Sequence, residues 1–284
     1  MAEYKKRAET KLVPQPTKNY LPERDADKEP ILEARNLGID FGGLTAVDNF
    51  NMAIGRTEIV GLIGPNGAGK TTVFNLLTKV YQPTRGTILL DGFDTQSMNT
   101  IQVNQHGIAR TFQNIRLFNN LSVEDNVKIG MHTGIKYSTF EGIFRMPRYW
   151  KQEKMAHEKA MDLLGIFGME KYADAKAGSL PYGVQRRLEI VRALATNPKL
   201  LLLDEPAAGM NPSETAELME NIVGIRDKFQ IAVMLIEHDM KLVMGICEGI
   251  CVLNFGKIIA KGTPSDIQSN PAVIEAYLGK NSKK

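Results

Sequence analysis

The stretch EIVGLIGPNGAGKTT, residues 58–72, joins a short apolar run to a glycine-rich turn. The run ends at Gly64 and is typical of a buried β-strand, while residues 70–79 favour a helix. Between them, residues 64–71 fit the pattern G-x-x-x-x-G-K-[ST] in the strand-to-helix context that the pattern requires. A loop of this kind curls its backbone N–H groups around phosphate oxygens, and the following helix adds its positive end. The sequence therefore predicts a phosphate-binding loop rather than an ordinary glycine-rich turn.

The pattern also assigns roles to side chains. Lys70 reaches the β- and γ-phosphates of a nucleotide, and the Thr71 hydroxyl can ligate Mg²⁺. We therefore expect ATP and Mg²⁺ as the ligands. The residues predicted to bind the nucleotide here are Gly64, Pro65, Asn66, Gly67, Ala68, Gly69, Lys70, Thr71 and Thr72.

Two later apolar runs, residues 199–204 and 231–236, have no polar alternation. Strands that are apolar on both faces are typical of a parallel sheet covered by helices. A helix is predicted between them, because Asn211 can cap it, Pro212 suits its first turn and Glu214 falls near its third residue. Strand, helix and strand at these lengths predict a βαβ unit.

Acidic and imidazole side chains follow these two strands. Asp204 ends the first run, at the sheet edge where ligands bind, and we expect it to hold Mg²⁺. Glu205 is then placed to polarise an attacking water, the alternative being a solvated pair of acids at a strand end. His238 follows the second run; it either donates to the γ-phosphate or simply caps the next helix.

Composition limits the class of protein. The 284 residues carry a net charge of +3, but residues 31–279 alone carry −1 and the excess lies near the ends. A basic body that binds nucleic acid is therefore disfavoured. Cys247 and Cys251 are too few for a disulfide scaffold or a Cys-rich zinc site, and we expect them to be packing residues. No apolar run approaches a membrane span, so a soluble, intracellular chain is expected.

The chain divides into segments. Residues 1–30 are polar and proline-rich and predict a flexible tail, and residues 280–284 a basic one. Residues of about 114–195 show helical periodicity and predict a helical subdomain inserted into the core. Residues 249–254 and 257–260 predict a strand pair turning at Gly256, after which Thr263 opens a last helix. The predicted fold is α/β, a P-loop NTPase (RecA-like core) with antiparallel β elements and an inserted α-helical subdomain.

These motifs resemble the ATP-binding subunits of ABC transporters over residues of about 31–279. The resemblance implies that Gln113, in RTFQ, senses the γ-phosphate and Mg²⁺ and acts in catalysis with Lys70, Glu205 and His238. It implies that Phe41 stacks on adenine, unless Phe41 is a core aromatic. It also places Asn211 in the D-loop; the alternative is that Asn211 serves only as the helix cap predicted above.

Four longer segments resemble one subfamily of these ATP-binding subunits. EPAAGMNP (205–212), IEHDMKLVMG (236–245), AYLG (276–279) and RTFQNIRLF (110–118) are similar to the G-type, LivG-like, ATPase subunits of branched-chain amino acid importers. This implies a subunit at the cytoplasmic face of the inner membrane. Its implied partners are two transmembrane permease subunits, a second ATPase subunit and, indirectly, an external solute-binding protein, without nucleic acid.

One segment departs from the family pattern. Residues 180–185, LPYGVQ, occupy the place of the family's Leu-Ser-Gly-Gly-Gln segment, which contacts ATP on the opposite subunit. Pro181 offers neither a hydroxyl nor an N–H to the γ-phosphate, and Tyr182 and Val184 also depart, although Gly183 remains. Either Pro181 weakens that site, or it merely suits the start of a helix. The first interpretation predicts an asymmetric heterodimer, and a homodimer is the alternative.

Other functions remain as rivals. The rivals are a regulatory subunit that binds ATP with weak turnover, an importer ATPase for another small solute, and a soluble ATPase acting on nucleic acid or ribosomes. The aromatic and basic segment 135–150 is interpreted as a loop packed on its own helices, or as a contact with permease or lipid.

Overall fold

The computed structural model describes residues 29–132, 141 and 143–278. The predicted tails therefore lie almost wholly outside the described residues, as do Gly279 and part of the segment 135–150. The chain divides into two compact units, one made of the chain up to Arg110 and from Lys199 onward, the other of Thr111–Pro198.

A six-stranded sheet forms the centre of the first unit, in the order β10-β9-β3-β8-β7-β6. The neighbours from β9 to β6 are parallel, and β10 pairs antiparallel with β9. Every residue of β3, β7 and β8 is buried, as their unbroken apolar runs predict. The strands are β3 (Ile59–Ile63), β6 (Ile108–Arg110), β7 (Leu200–Asp204), β8 (Ala232–Ile236), β9 (Gly249–Asn254) and β10 (Lys257–Gly262).

A second sheet of the same unit is antiparallel, in the order β2-β1-β4-β5. Its strands alternate between buried and exposed residues, because only one face packs on the core. Buried side chains of both sheets, Phe50 and Leu62 among them, belong to one apolar core. The strands are β1 (Leu32–Phe41), β2 (Leu44–Ile54), β4 (Arg85–Leu90) and β5 (Phe93–Asp94).

Two helices of the first unit begin at capping residues found in the sequence, Asn211 and Thr263. Asn211 accepts hydrogen bonds from the N–H groups of Ser213 and Glu214, and Glu214 completes a capping box. The helices are α1 (Lys70–Leu77), α2 (Thr100–His106), α6 (Pro212–Phe229), α7 (Met240–Ile246), α8 (Pro264–Ser269) and α9 (Pro271–Leu278).

The second unit is helical in its described part, with α3 (Val123–Gly130), α4 (Pro147–Ile166) and α5 (Tyr182–Leu194). Two short 3₁₀ turns, Glu170–Tyr172 and Ala177–Ser179, precede α5. Helices α3 and α5 pack against each other, and each carries buried apolar residues, Val127 on α3 and Leu188 on α5 among them.

The α/β fold with a parallel sheet and antiparallel elements is confirmed. Two details of the sequence interpretation were wrong. The first helix ends at Leu77 rather than Lys79, because Lys79 takes a left-handed conformation with φ of 57°. The helix opened by Thr263 is not the last, since Pro271 starts another after it.

Candidate functional site

Three neighbouring strands end at the same edge of the parallel sheet. β8 lies between β3 and β7, and Ile236 is paired in register with both Leu62 and Asp204. Because the strands are parallel, the residues that follow each of them meet at this edge. The phosphate loop, the acidic pair at 204–205 and His238 are therefore brought together by the topology.

The phosphate loop depends on glycine at its first and last glycine positions. A Cβ on Gly64 would lie 2.0 Å from the carbonyl oxygen of Leu253, so no side chain fits there. Gly69 has φ of 103° and a Cβ there would lie 2.9 Å from the carbonyl oxygen of Ala46. At Gly67, φ is 76° and no heavy atom lies within 4 Å of the Cβ position. The loop is thus fixed at its two ends, with open space at its crest.

The start of α1 fits an anion. Gly69 at the N-cap supplies no side-chain bond, and the first turn contains no acidic residue. The N–H groups of a first helical turn have no partner within the helix, so these can donate to phosphate oxygens. Lys70 Nζ donates to the carbonyl oxygens of Gly64 and Pro65 at 2.7 and 3.0 Å, across the loop. Burial lowers the pKa of Lys70, and the charges of Glu205 and Asp204 oppose that effect.

Asp204 ends β7 with its carboxylate almost fully buried. Its Oδ2 accepts a hydrogen bond of 2.8 Å from Arg110 Nη2, a residue of the neighbouring strand β6. Among the described residues no group of three or more His, Cys, Asp and Glu could hold a metal ion. Mg²⁺ at a nucleotide, however, is held by one or two carboxylates together with substrate phosphates and water. Asp204 and the Thr71 hydroxyl are therefore suitable oxygen donors for it.

Glu205 and His238 contact each other. The distance between Glu205 Oε1 and His238 Nε2 is 3.1 Å, and the Glu205 side chain is 18% exposed against 43% for His238. Glu205 has φ of 48°, a strained conformation for this residue type, stabilised by a 2.9 Å bond from its N–H to the carbonyl oxygen of Ile236. Asp239, not His238, caps α7, so the interpretation of His238 as a helix cap was wrong.

Glu237 belongs to this edge although sequence reasoning did not single it out. Its side chain is buried, with Oε1 accepting from the Ala207 N–H at 2.7 Å and Oε2 from the N–H groups of His238 and Asp239 at 3.0 and 3.4 Å. Burial raises the pKa of Glu237. The signal available in the sequence was a third acid, beside His238, directly after a buried strand.

Two aromatic residues lie at the margins of the first unit. Phe41 is 45% exposed and meets Tyr81 edge-on at 5.2 Å, so the interpretation of Phe41 as a core aromatic was wrong. Burial raises the pKa of Tyr277 on α9, and a hydrogen bond with the backbone of Gly64, the first glycine of the phosphate loop, opposes that effect. Nothing in the spacing of the sequence pointed to that contact.

Cys247 and Cys251, by contrast, are fully buried free thiols, as expected of packing residues. Burial raises the pKa of Cys251 to about 12.

The remaining predicted residues belong to the second unit. Pro181 is the N-cap of α5, which agrees with its interpretation as a helix start, and Tyr182 and Gly183 form the first turn. Around Gln113, Glu189 Oε1 accepts from the N–H groups of Phe112 and Arg116 at 3.4 and 3.3 Å. Arg186 donates to the Phe112 carbonyl and, at 2.8 Å, to Glu189. Helix α5 therefore holds the backbone on both sides of Gln113.

Comparison with known proteins gives the same family as the sequence motifs. The family model described as ABC transporter matches residues 47–208, and that of the branched-chain amino acid ATP-binding cassette transporter matches residues 257–282. The chain is 46% identical over 250 residues to the high-affinity branched-chain amino acid transport ATP-binding protein BraF of Pseudomonas aeruginosa. It is 47% identical over 251 residues to the corresponding protein LivG of Escherichia coli strain K12. Each match covers 88% of this chain and 98% of the relative.

A solved structure supports the same assignment. An ATP-binding cassette of an ABC transporter in its ADP conformation superposes with a TM-score of 0.77 at 30% identity, covering 89% of this chain and all of that one. Sequence and fold agree along the whole described core. The chain therefore belongs to the ABC transporter family, as an ATP-hydrolysing subunit of the LivG type.

Proposed function

We propose that this chain drives the uptake of branched-chain, hydrophobic amino acids by hydrolysing ATP beside a membrane permease. The observation that carries the proposal is the sheet edge where the phosphate loop, Asp204 and the Glu205–His238 pair converge. The names of the relatives at 46–47% identity supply the substrate class.

Each residue of the site has its own role in binding or hydrolysing ATP. The N–H groups of the first turn of α1 and the Lys70 ammonium bind the β- and γ-phosphates, and Phe41 offers an exposed ring for adenine. Asp204 and Thr71 would hold Mg²⁺, which when bound neutralises charge on the phosphates, and Gln113 keeps the sensing role that the family resemblance implies. Glu205 orients the attacking water and accepts its proton. His238, which contacts Glu205, donates to the γ-phosphate.

The assembly is part of the proposal. Two permease subunits and an ATPase dimer work together, with an external solute-binding protein delivering the amino acid. Pro181 lacks the hydroxyl that the family pattern offers to ATP on the opposite subunit, which favours a heterodimer with a second ATPase over a homodimer. The described part of the chain has no helix long and apolar enough to cross a bilayer. We place the chain at the cytoplasmic face of the inner membrane, bound through its permeases.

We assign residues 31–279 to the ATP-binding domain, with a helical subdomain at about 114–195. The segments 1–30 and 280–284 lie almost wholly outside the described residues. Within the domain, Gln113 and the segment 180–185 both belong to the compact unit Thr111–Pro198. That unit is the part of the domain that we assign to contact with the permease and with the second ATPase.

Reconstitution tests the function. The chain is co-purified with its permeases from membranes and reconstituted in vesicles with the solute-binding protein, and ATP-dependent uptake of radiolabelled leucine is measured. We expect leucine uptake that isoleucine and valine compete for and that lysine and glutamate do not, and its loss in Lys70→Ala. If an unrelated solute is taken up instead of leucine, the proposed substrate class is wrong. ATP binding without turnover in the full assembly would favour a regulatory subunit, and recovery of ribosomes would overturn the proposal.

A further inference from the structure

Arg110 connects two elements of the nucleotide site. Its Nη2 donates to Asp204 Oδ2 at 2.8 Å, and its Nη1 donates to Asn75 Oδ1 at 2.6 Å. Asp204 ends β7, whereas Asn75 lies on α1, the helix that starts at Lys70 and Thr71. One guanidinium group thus bridges the acidic strand end and the phosphate-loop helix.

The contact is buried and shaped for arginine. The side chains of Arg110 and Asp204 are 6% and 3% exposed, and the guanidinium carbon lies 5.4 Å from the centre of the Phe74 ring. A planar guanidinium can direct two N–H groups to separate acceptors while its flat face packs on an aromatic ring. A lysine ammonium is a point charge on a flexible stem and cannot reproduce this fixed fork.

We propose that Arg110 is a positioning residue for Asp204, setting the direction of its carboxylate relative to α1 so that a divalent cation binds between them. The inference rests on the proposed role of Asp204 as a metal ligand. Groups that hydrogen-bond to a metal-binding carboxylate orient it, and their loss lowers metal affinity about 10–100-fold. Arg110 also repels a cation, so the proposal requires that orientation outweighs this repulsion.

A second buried ion pair supplies a matched control. Arg226 Nη1 donates to Glu248 Oε1 at 2.6 Å, with the side chains 12% and 7% exposed. Glu248 immediately precedes β9, and Ile59 at the start of β3 donates its N–H to Glu248, so this pair lies at the opposite edge of the sheet from the nucleotide. Removing Arg226 therefore tests what the loss of a buried ion pair does to the fold alone.

The test uses the full-length chain. Mn²⁺ binding in the presence of a non-hydrolysable ATP analogue is followed by electron paramagnetic resonance, analogue binding is measured in EDTA by fluorescence, and stability by thermal melting. For Arg110→Met we expect Mn²⁺ affinity to fall about tenfold, with metal-free analogue affinity within about twofold of wild type. Arg110→Lys should give an intermediate loss. Arg226→Met should lower the melting temperature and leave Mn²⁺ affinity unchanged.

Further variants separate this inference from the proposed function. Asn75→Ala keeps Arg110 but removes its second partner, so it should weaken Mn²⁺ binding less than Arg110→Met and add nothing in the double variant. If Asp204→Asn binds Mn²⁺ like wild type, the metal role of Asp204 fails. If Asp204→Asn loses the ion while Arg110→Met and Arg110→Lys bind it equally well or more tightly, the positioning role alone is overturned.

Discussion

Glu237 and Ala207 are joined by a hydrogen bond of 2.7 Å, from the Ala207 backbone N–H to Glu237 Oε1. The other carboxylate oxygen accepts from the N–H groups of His238 and Asp239. One buried carboxylate therefore ties the turn after Glu205 to the turn that carries His238. The 3.1 Å contact between Glu205 and His238 depends on the relative position of these two turns.

Replacing Glu237 with Gln should slow hydrolysis without weakening ATP binding. The amide presents an NH₂ group to one of the backbone donors, and a buried N–H left without an acceptor costs about 1–3 kcal/mol. We expect kcat to fall about tenfold, equivalent to 1.4 kcal/mol, with KM for ATP within about twofold. Glu220→Gln, on the exposed face of α6, is the control. An equal rise in KM, or an unchanged kcat, would show that Glu237 has no part in aligning the two turns.

Glu189→Gln should loosen the backbone around Gln113. Arg186 and Glu189 are 0% and 1% exposed, and breaking a buried ion pair leaves an uncompensated charge. We expect faster amide hydrogen exchange at residues 111–118 than in wild type, together with a lower melting temperature. Glu158→Gln removes an exposed pair with Lys154 in the same unit and should change neither quantity. Unchanged exchange at 111–118 would contradict the role assigned to α5.

Glu205→Gln should bind ATP and nearly stop turning it over. Glu205 is the carboxylate in contact with His238, and a positioned general base contributes about 10²–10⁴-fold to a rate. We expect kcat of the assembled transporter to fall at least about 100-fold, with the dissociation constant for ATP changed by less than about threefold. Glu220→Gln again controls for the substitution itself. Turnover like that of wild type would refute the assignment.

The local features of the site could be predicted from the sequence because they are encoded locally. The strand, loop and helix at residues 59–77 follow from an apolar run, the glycines of the turn and the Lys-Thr pair that opens the helix. The cap at Asn211 follows from residues within three positions of it. Convergence of Asp204 and His238 on the loop followed from one further rule, that parallel strands end at a common edge.

Contacts across the sheet could not be predicted in the same way. Arg110 and Asp204 are 94 positions apart and meet because β6 pairs with β7, an order that no local pattern specifies. Glu237 likewise depends on the turn at Ala207, 30 positions away. The sequence therefore indicates the groups that meet the nucleotide better than the groups that hold them in place.

Asp91 should stabilise the fold at neutral pH and not at low pH. Hydrogen bonds from Lys199, and then from Arg56, lower the pKa of Asp91 below its usual range. A carboxylate whose pKa is lowered by folding stabilises the protein above its unfolded pKa, about 3.9, and loses that effect as the pH falls through the folded value. We expect Asp91→Asn to lower the free energy of unfolding by about 1 kcal/mol or less at pH 7. The difference should shrink below about pH 4 in urea unfolding. Exposed Asp174→Asn is the control, and a deficit that grows on acidification would contradict the sign.

Pro181→Ser tests whether the assembled dimer has unequal ATP sites. Pro181 is exposed at the N-cap of α5 and makes no side-chain cap bond. Serine restores a hydroxyl, which can cap the helix and, in the closed dimer, donate to a γ-phosphate on the opposite subunit. In the full transporter we expect a second nucleotide to be turned over per cycle, with higher occupancy at the site that receives residues 180–185.

The stability effect of this substitution must be separated from its effect on ATP. Pro264→Ser changes the same residue type at the start of α8, in the other compact unit, where Pro264 occupies the first turn, and should alter only melting temperature. If Pro181→Ser and Pro264→Ser both leave the rate and the number of nucleotides per complex at the wild-type values, Pro181 serves only to start α5. A gain confined to Pro181→Ser places the asymmetry in this segment, since both variants exchange a proline at the start of a helix for serine.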